Sequence, residues 1–206
     1  MKINKCINKV VAEDREKLEE IFRAIDFKKR RTEYHAKTAR ERYDTIFQKS
    51  IVHIKNHIDD LNNVAFEVEA MIDTLNTLPD ICAQLVNLVI LSSLLSKKSV
   101  SIYKVRDNIP NNLSDLKNTI IKWIESKEFR YIRGFCNISK HRSLIDRDYF
   151  THINYRNKST KRGIRFYAFK YDGVSYPEKM MNELFAIKDD FMHMFCDVIE
   201  EMEKLI

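Results

Sequence analysis

DYFTHINYRNKSTKRGIRFYAFKYDGVSY, Asp148 to Tyr176, breaks the otherwise helical texture of the chain. Aromatic and β-branched residues crowd its two ends, DYFTHINYR and IRFYAFKYDGVSY, and the polar NKSTKRG lies between them. Residues of those types pack well on a pleated surface, so the stretch predicts two or three strands of an antiparallel β-hairpin. The sequence on either side has a different texture. Downstream, Pro177 and Glu178 open a helix in which Met181, Leu184, Phe185, Ile187, Phe191, Met194, Phe195, Val198 and Met202 form a core-facing stripe.

Upstream of the hairpin the apolar residues recur at the helical period. Leu18, Ile21, Phe22 and Ile25 predict a first helix from Ala12 to about Phe27, and the very basic interval to about Tyr34 reads as an exposed connection or a solvated helix end. Apolar residues from Tyr43 to Leu75 sustain a second, long helix. TLPD, with Pro79 suited to a first turn and Asp80 to the positive end of the dipole, starts a third helix reaching about Ser96. SKKSVSIYKVRDNIPNN reads as a connection, Ser114 as the cap of a fourth helix, and Phe129 to Lys140 as a short fifth one. The expected fold is therefore mainly α, a bundle of five or six helices, two of them long. A small antiparallel β-hairpin at about 147–176 is inserted before the C-terminal helix, all within a single domain over 1–206.

Composition narrows the function classes. Three glycines among 206 residues leave no material for a glycine-rich phosphate loop. The longest apolar run, Ile81 to Leu95, is interrupted by Gln84, Asn87, Ser92 and Ser93 and is too short and polar to cross a bilayer, so no membrane is expected. Cys6, Cys82, Cys136 and Cys196 are scattered and the N-terminus lacks a signal-peptide core, which together point to a reducing cytoplasm. A formal charge of +6 concentrates in Lys28 to Arg42 and in Lys158 to Arg165. Such patches either track a phosphate backbone or form solvated faces.

Several polar groups stand out. His53 and His57, four apart, present two imidazoles to one metal or lie as surface histidines; without an HExxH or paired ExxH pattern, no metal and no cofactor is assigned. His193 and Cys196 read as bundle packing, and Cys136 with His141 lacks any nucleophile signature. Gln84 and Asn87, inside an apolar helix, call for hydrogen-bond partners, read as structural bonds across the bundle. Most informative is FCNISKHRSLID, Phe135 to Asp146. If the fifth helix continues through it, Arg133, Asn137 and His141 drift only about 40° per step and share a side. A guanidinium there holds phosphate, an amide orients, and an imidazole moves a proton near neutral pH. The same residues also suit a helix C-terminus, where cations complement the dipole.

Two segments carry a family resemblance. DTLNTLPDICAQLVNLVIL (Asp73 to Leu91) and FRYIRGFCNISKHRSLI (Phe129 to Ile145) are similar to a branch of the HEPN superfamily. In that branch a D-x-x-A-Q-x-x-N helix precedes an N-x-x-K-H-R segment. Asp80, Ala83, Gln84 and Asn87 match the first pattern, and Asn137, Lys140, His141 and Arg142 the second. The resemblance spans about residues 40 to 200. It implies a helical bundle, a homodimer, and, in active members, metal-independent RNA cleavage through an Arg-x(4 to 6)-His motif at the dimer interface. It also implies partners such as RNA or a nucleotide, a cognate antitoxin, or another protein in toxin or phage-defence settings. On that reading His141, Asn137 and Arg133 are catalytic, Lys140 and Arg142 hold RNA phosphate, and Asp80, Gln84 and Asn87 are structural. Seven residues separate Arg133 from His141 here, and Gly134 occupies a position that is polar in active members. An endoribonuclease and a non-catalytic binding module both fit these residues.

Overall fold

A computed structural model describes residues 14–47, 57–96, 98–141, 145–154, 156 and 159–205, with the backbone alone at 141, 153, 154 and 159–161. The protein is mainly helical. Its elements are α1 (Arg15–Phe47), α2 (Ile58–Leu75), α3 (Leu78–Val89), α4 (Ile102–Asn108), α5 (Ser114–Glu125) and α6 (Lys127–His141), then β1 (Arg147–Asn154), β2 (Ser159–Phe166), β3 (Phe169–Tyr171), β4 (Val174–Tyr176), β5 (Lys179–Met180) and α7 (Met181–Lys204). A small antiparallel β region before the C-terminal helix is thus present, as the sequence pattern predicts.

The chain divides into two compact units. The first comprises the described residues up to Arg30, then Asn76–Arg130 and Asp190 onward. Leu18, Phe22 and Ile25 of α1, Cys82, Leu85 and Val86 of α3, and Ile120 and Trp123 of α5 are buried in it. Trp123 packs its ring against Phe129, Phe191 and Phe195, with centroids 5.6, 5.2 and 5.5 Å away. Offset and edge contacts of this kind are what the aromatic quadrupole favours.

The second unit comprises Arg31–Leu75 and Tyr131–Asp189. Leu61, Val64, Val68, Met71 and Ile72 of α2 and Ile132, Phe135 and Cys136 of α6 form its helical core. In its sheet, β2 lies between β1 and β5 and pairs antiparallel with both; Arg147 faces Phe166 at one end and Asn154 faces Ser159 at the other. β3 and β4 form a separate hairpin around Asp172 and Gly173, both at positive φ (50° and 78°). An Asp-Gly pair with that backbone suits a two-residue hairpin loop, because its twist matches that of the strands. The aromatic rings of Phe169 and Tyr176, partners in the register, stack 4.8 Å apart.

Several expectations about helix bounds are corrected. The basic interval after Phe27 is not a connection: α1 runs through it for 33 residues. Its buried positions there are Thr32, Ala36 and Ala39, a stripe of small residues at helical spacing that a count of large apolar residues passes over, while lysine and arginine are good helix formers. The second helix accordingly does not begin at Tyr43, which belongs to α1, and α2 starts at Ile58, residues 48–56 lying outside the described residues. The third helix stops at Val89 rather than near Ser96, because Ser92 and Ser93 turn into positive φ (48° and 61°). A helix also lies inside the segment read as a connection: Ser101 accepts a hydrogen bond from the Lys104 N–H and starts α4. It adds one short helix of seven residues between α3 and α5. Finally, the last helix begins at Met181, not at Pro177, because Lys179 and Met180 are drawn into pairing with β2. Glu183 accepts the Met180 N–H at 2.8 Å, half of a capping box that fixes this start.

Candidate functional site

The predicted motif helix is α6. Ser126 accepts the Phe129 N–H at 3.1 Å at its start, and Glu128 in the first turn suits the positive end of the dipole. Its apolar side, Tyr131, Ile132, Phe135, Cys136 and Ile138, is buried, whereas Arg133 and Lys140 are exposed and Asn137 is half-buried. The helix is unbroken to His141, so Arg133, Asn137 and residue 141 do follow one another at four-residue spacing along one side. The side chain of His141 and the whole of Arg142 lie outside the described residues.

Two neighbours of that face have structural work. Gly134 is covered by the Tyr176 ring so closely that a Cβ on it would stand 2.7 Å from Tyr176 Cζ. A polar side chain at this position has no room, which gives a physical reason for the glycine. Cys136 is fully buried and its thiol donates toward the Ile72 carbonyl at 3.7 Å. Burial, with the Asp73 carboxylate beside it, pushes the thiol well above its ordinary range and leaves it inert as a nucleophile.

Arg147, at the head of β1, is tied down on several sides. It pairs with Glu69, donates from Nε to the Tyr149 hydroxyl at 3.1 Å, and lies 4.9 Å over the Phe66 ring. Tyr149 in turn donates to Asn62 Oδ1 at 2.5 Å. Burial pushes the Glu69 carboxyl up, and the pull of Arg147 in the other direction does not cancel it. This guanidinium is spent on holding β1 to α2.

A different constellation in the same unit has the geometry of acid–base chemistry. His35 Nδ1 lies 2.6 Å from Glu67 Oε2, and Arg31 Nε donates to His35 Nε2 at 3.3 Å. An arginine Nε only donates, so Nε2 is the accepting nitrogen and the ring proton sits on Nδ1, directed at Glu67. The result is an imidazole of fixed tautomer, its bare nitrogen beside a guanidinium and its side chain 14% exposed. Sequence reading passes over it. Arg31 and His35 are visible as an i, i+4 pair within the basic stretch, but Glu67 is 32 positions away and no local pattern connects it to them.

The first unit holds the other predicted polar residues. Asp80 and Gln84 are exposed on α3. Asn87 is buried, but its bonds are local instead of crossing the bundle: Nδ2 donates to the Leu95 carbonyl and Oδ1 accepts the Leu95 N–H, both at 3.0 Å. Among the described residues no group of three or more His, Cys, Asp or Glu is arranged to hold a metal ion. His57 lies 3.3 Å from Asp60, and His53, like Cys6, lies outside the described residues. No helix among the described residues is long and apolar enough to cross a membrane. No protein-family model, no curated protein and no solved structure matches the chain.

Proposed function

We propose that this chain is a cytoplasmic, HEPN-like, homodimeric protein that engages the RNA phosphate backbone and cleaves it without a metal ion. The observation that supports the reading is the division of labour on α6, which commits its apolar side to the core and leaves Arg133 and Lys140 exposed and Asn137 half-buried, leading to His141. In this chemistry an imidazole accepts the 2′-OH proton, the 2′-oxygen attacks the adjacent phosphorus, and the 5′-oxygen leaves as it regains a proton. A guanidinium or ammonium beside the phosphate offsets the charge that builds on its oxygens.

A second assignment of the acid–base group has an observation of its own. His35 is already fixed by Glu67 and stands beside Arg31, the arrangement in which a carboxylate orients an imidazole. Both assignments are tested by incubating mixed total RNA, in chelator, with wild type, His141→Ala and His35→Ala of equal helicity. Loss of cleavage only in His141→Ala assigns the α6 motif; loss only in His35→Ala assigns the His35–Glu67 pair. If wild type retains RNA without cutting it, the chain is the non-catalytic binding module that the same residues also fit. Absence of both binding and cutting overturns the RNA reading altogether.

A further inference from the structure

The first unit contains a cleft of about 360 Å³ between α1, α3 and the chain that follows α3. Its size falls within the range of sites for small molecules. Ile21, Leu88, Leu95 and Val100 supply apolar wall, and the polar groups reaching it include Glu20, Gln84 and Ser93.

The cleft is built on strained backbone. Ser92 and Ser93 both adopt positive φ (48° and 61°), which is unfavourable for a residue with a side chain. The turn is held in place by the Ser93 N–H donating to the Asn87 carbonyl at 2.8 Å and by the two bonds between the Asn87 amide and Leu95. Consecutive strained residues that their surroundings over-determine are characteristic of ligand clamps.

Its electrostatics select the occupant. Neither the Glu20 carboxylate nor the Gln84 amide has a hydrogen-bond partner among the described residues, and both open on the cleft. The lining also comes from the last turn of α3, the negative end of that helix dipole. Among the described residues, Lys17 is the one cation on the lining, and it is paired with Asp14 at 2.6 Å. An unpaired carboxylate, an amide oxygen and a helix C-terminus at the edge of an apolar wall complement a cation that donates hydrogen bonds and carries a compact apolar body. They reject an anion.

We propose that this cleft binds a small organic amine, its ammonium group held by Glu20 and Gln84 and its apolar part against Ile21 and Leu88. The site is independent of the RNA reading, whose residues lie in the second unit.

The test uses phenethylamine as the probe, with 2-phenylethanol and phenylacetate as its uncharged and anionic counterparts, read by calorimetry and by amide NMR shifts on the full chain. The amine is expected to bind wild type in the millimolar range or tighter, with shifts concentrated at residues 84–95, while the alcohol and the acid do not bind. Glu20→Gln and Gln84→Leu, both at exposed positions that leave the fold intact, are each expected to weaken binding tenfold or more. Asp80→Asn, off the lining, leaves it unchanged. Absence of amine binding, equal binding of the three probes, shifts confined to other residues, or Glu20→Gln binding like wild type each overturns the proposal.

Discussion

Gly134 and Tyr176 are in closer contact than any other side chain at position 134 would allow: the first atom of one would meet Tyr176 Cζ at 2.7 Å. The ring has little freedom to retreat, because it stacks on Phe169 at 4.8 Å and meets the edge of Tyr131 at 6.0 Å. Gly134→Ala is therefore expected to destabilise the protein by about 1–3 kcal/mol, the usual cost of overpacking, although alanine is the better helix former. Urea unfolding measures it, and combining the change with Tyr176→Ala should recover part of the loss. A Gly134→Ala protein as stable as wild type would mean that the β3–β4 hairpin is not seated on α6 as described.

Asn87 offers a second check on local structure. Removing its amide leaves the Leu95 N–H and carbonyl without these partners, so Asn87→Ala is expected to cost about 1–3 kcal/mol. The change should also loosen the turn at Ser92 and Ser93. Thermal unfolding gives the first effect and hydrogen exchange at residues 91–95 the second; a loss of stability with unaltered exchange would contradict the clamp.

A pH dependence follows from the sheet. Arg165 grips Asp148 with two hydrogen bonds, 3.0 and 2.6 Å, and holds its carboxyl below the ordinary value of 3.8. A carboxyl depressed by folding adds stability that is fully present above its unfolded value and is lost as pH falls through the folded one. The stability gap between wild type and Asp148→Asn should thus be present at neutral pH and close on acidification below about pH 4. The pair is partly solvated, so the gap is modest. A gap that persists unchanged at pH 2 would show that Asp148 acts through packing and not through its charge.

What the sequence makes legible follows from the range of the interactions involved. The β region is announced by its own residues, since Tyr149, Phe150, Ile153, Ile164, Phe166 and Phe169 are strand formers whatever surrounds them. The course of α1 past Phe27 is harder to see because Thr32, Ala36 and Ala39 are buried by virtue of being small, a property that only a packed partner reveals. α4 is hidden by Pro110 and the paired asparagines nearby, although Ser101 is an ordinary cap in the right place. At the candidate site, the outward face of α6 can be derived from spacing alone. The link between His35 and Glu67 cannot, because a tertiary contact between two helices leaves no mark on either local pattern.

The ring cluster around Trp123 has an optical consequence. The chain has a single tryptophan, and its indole is wholly buried in the first unit against three phenylalanines. Its fluorescence is thus a native, label-free signal from that unit alone, while far-ultraviolet circular dichroism sums the helices of both. Plotted on one denaturant axis, the two signals show whether the unit with the cleft melts together with the unit carrying His35 and Arg133, without altering a residue in either.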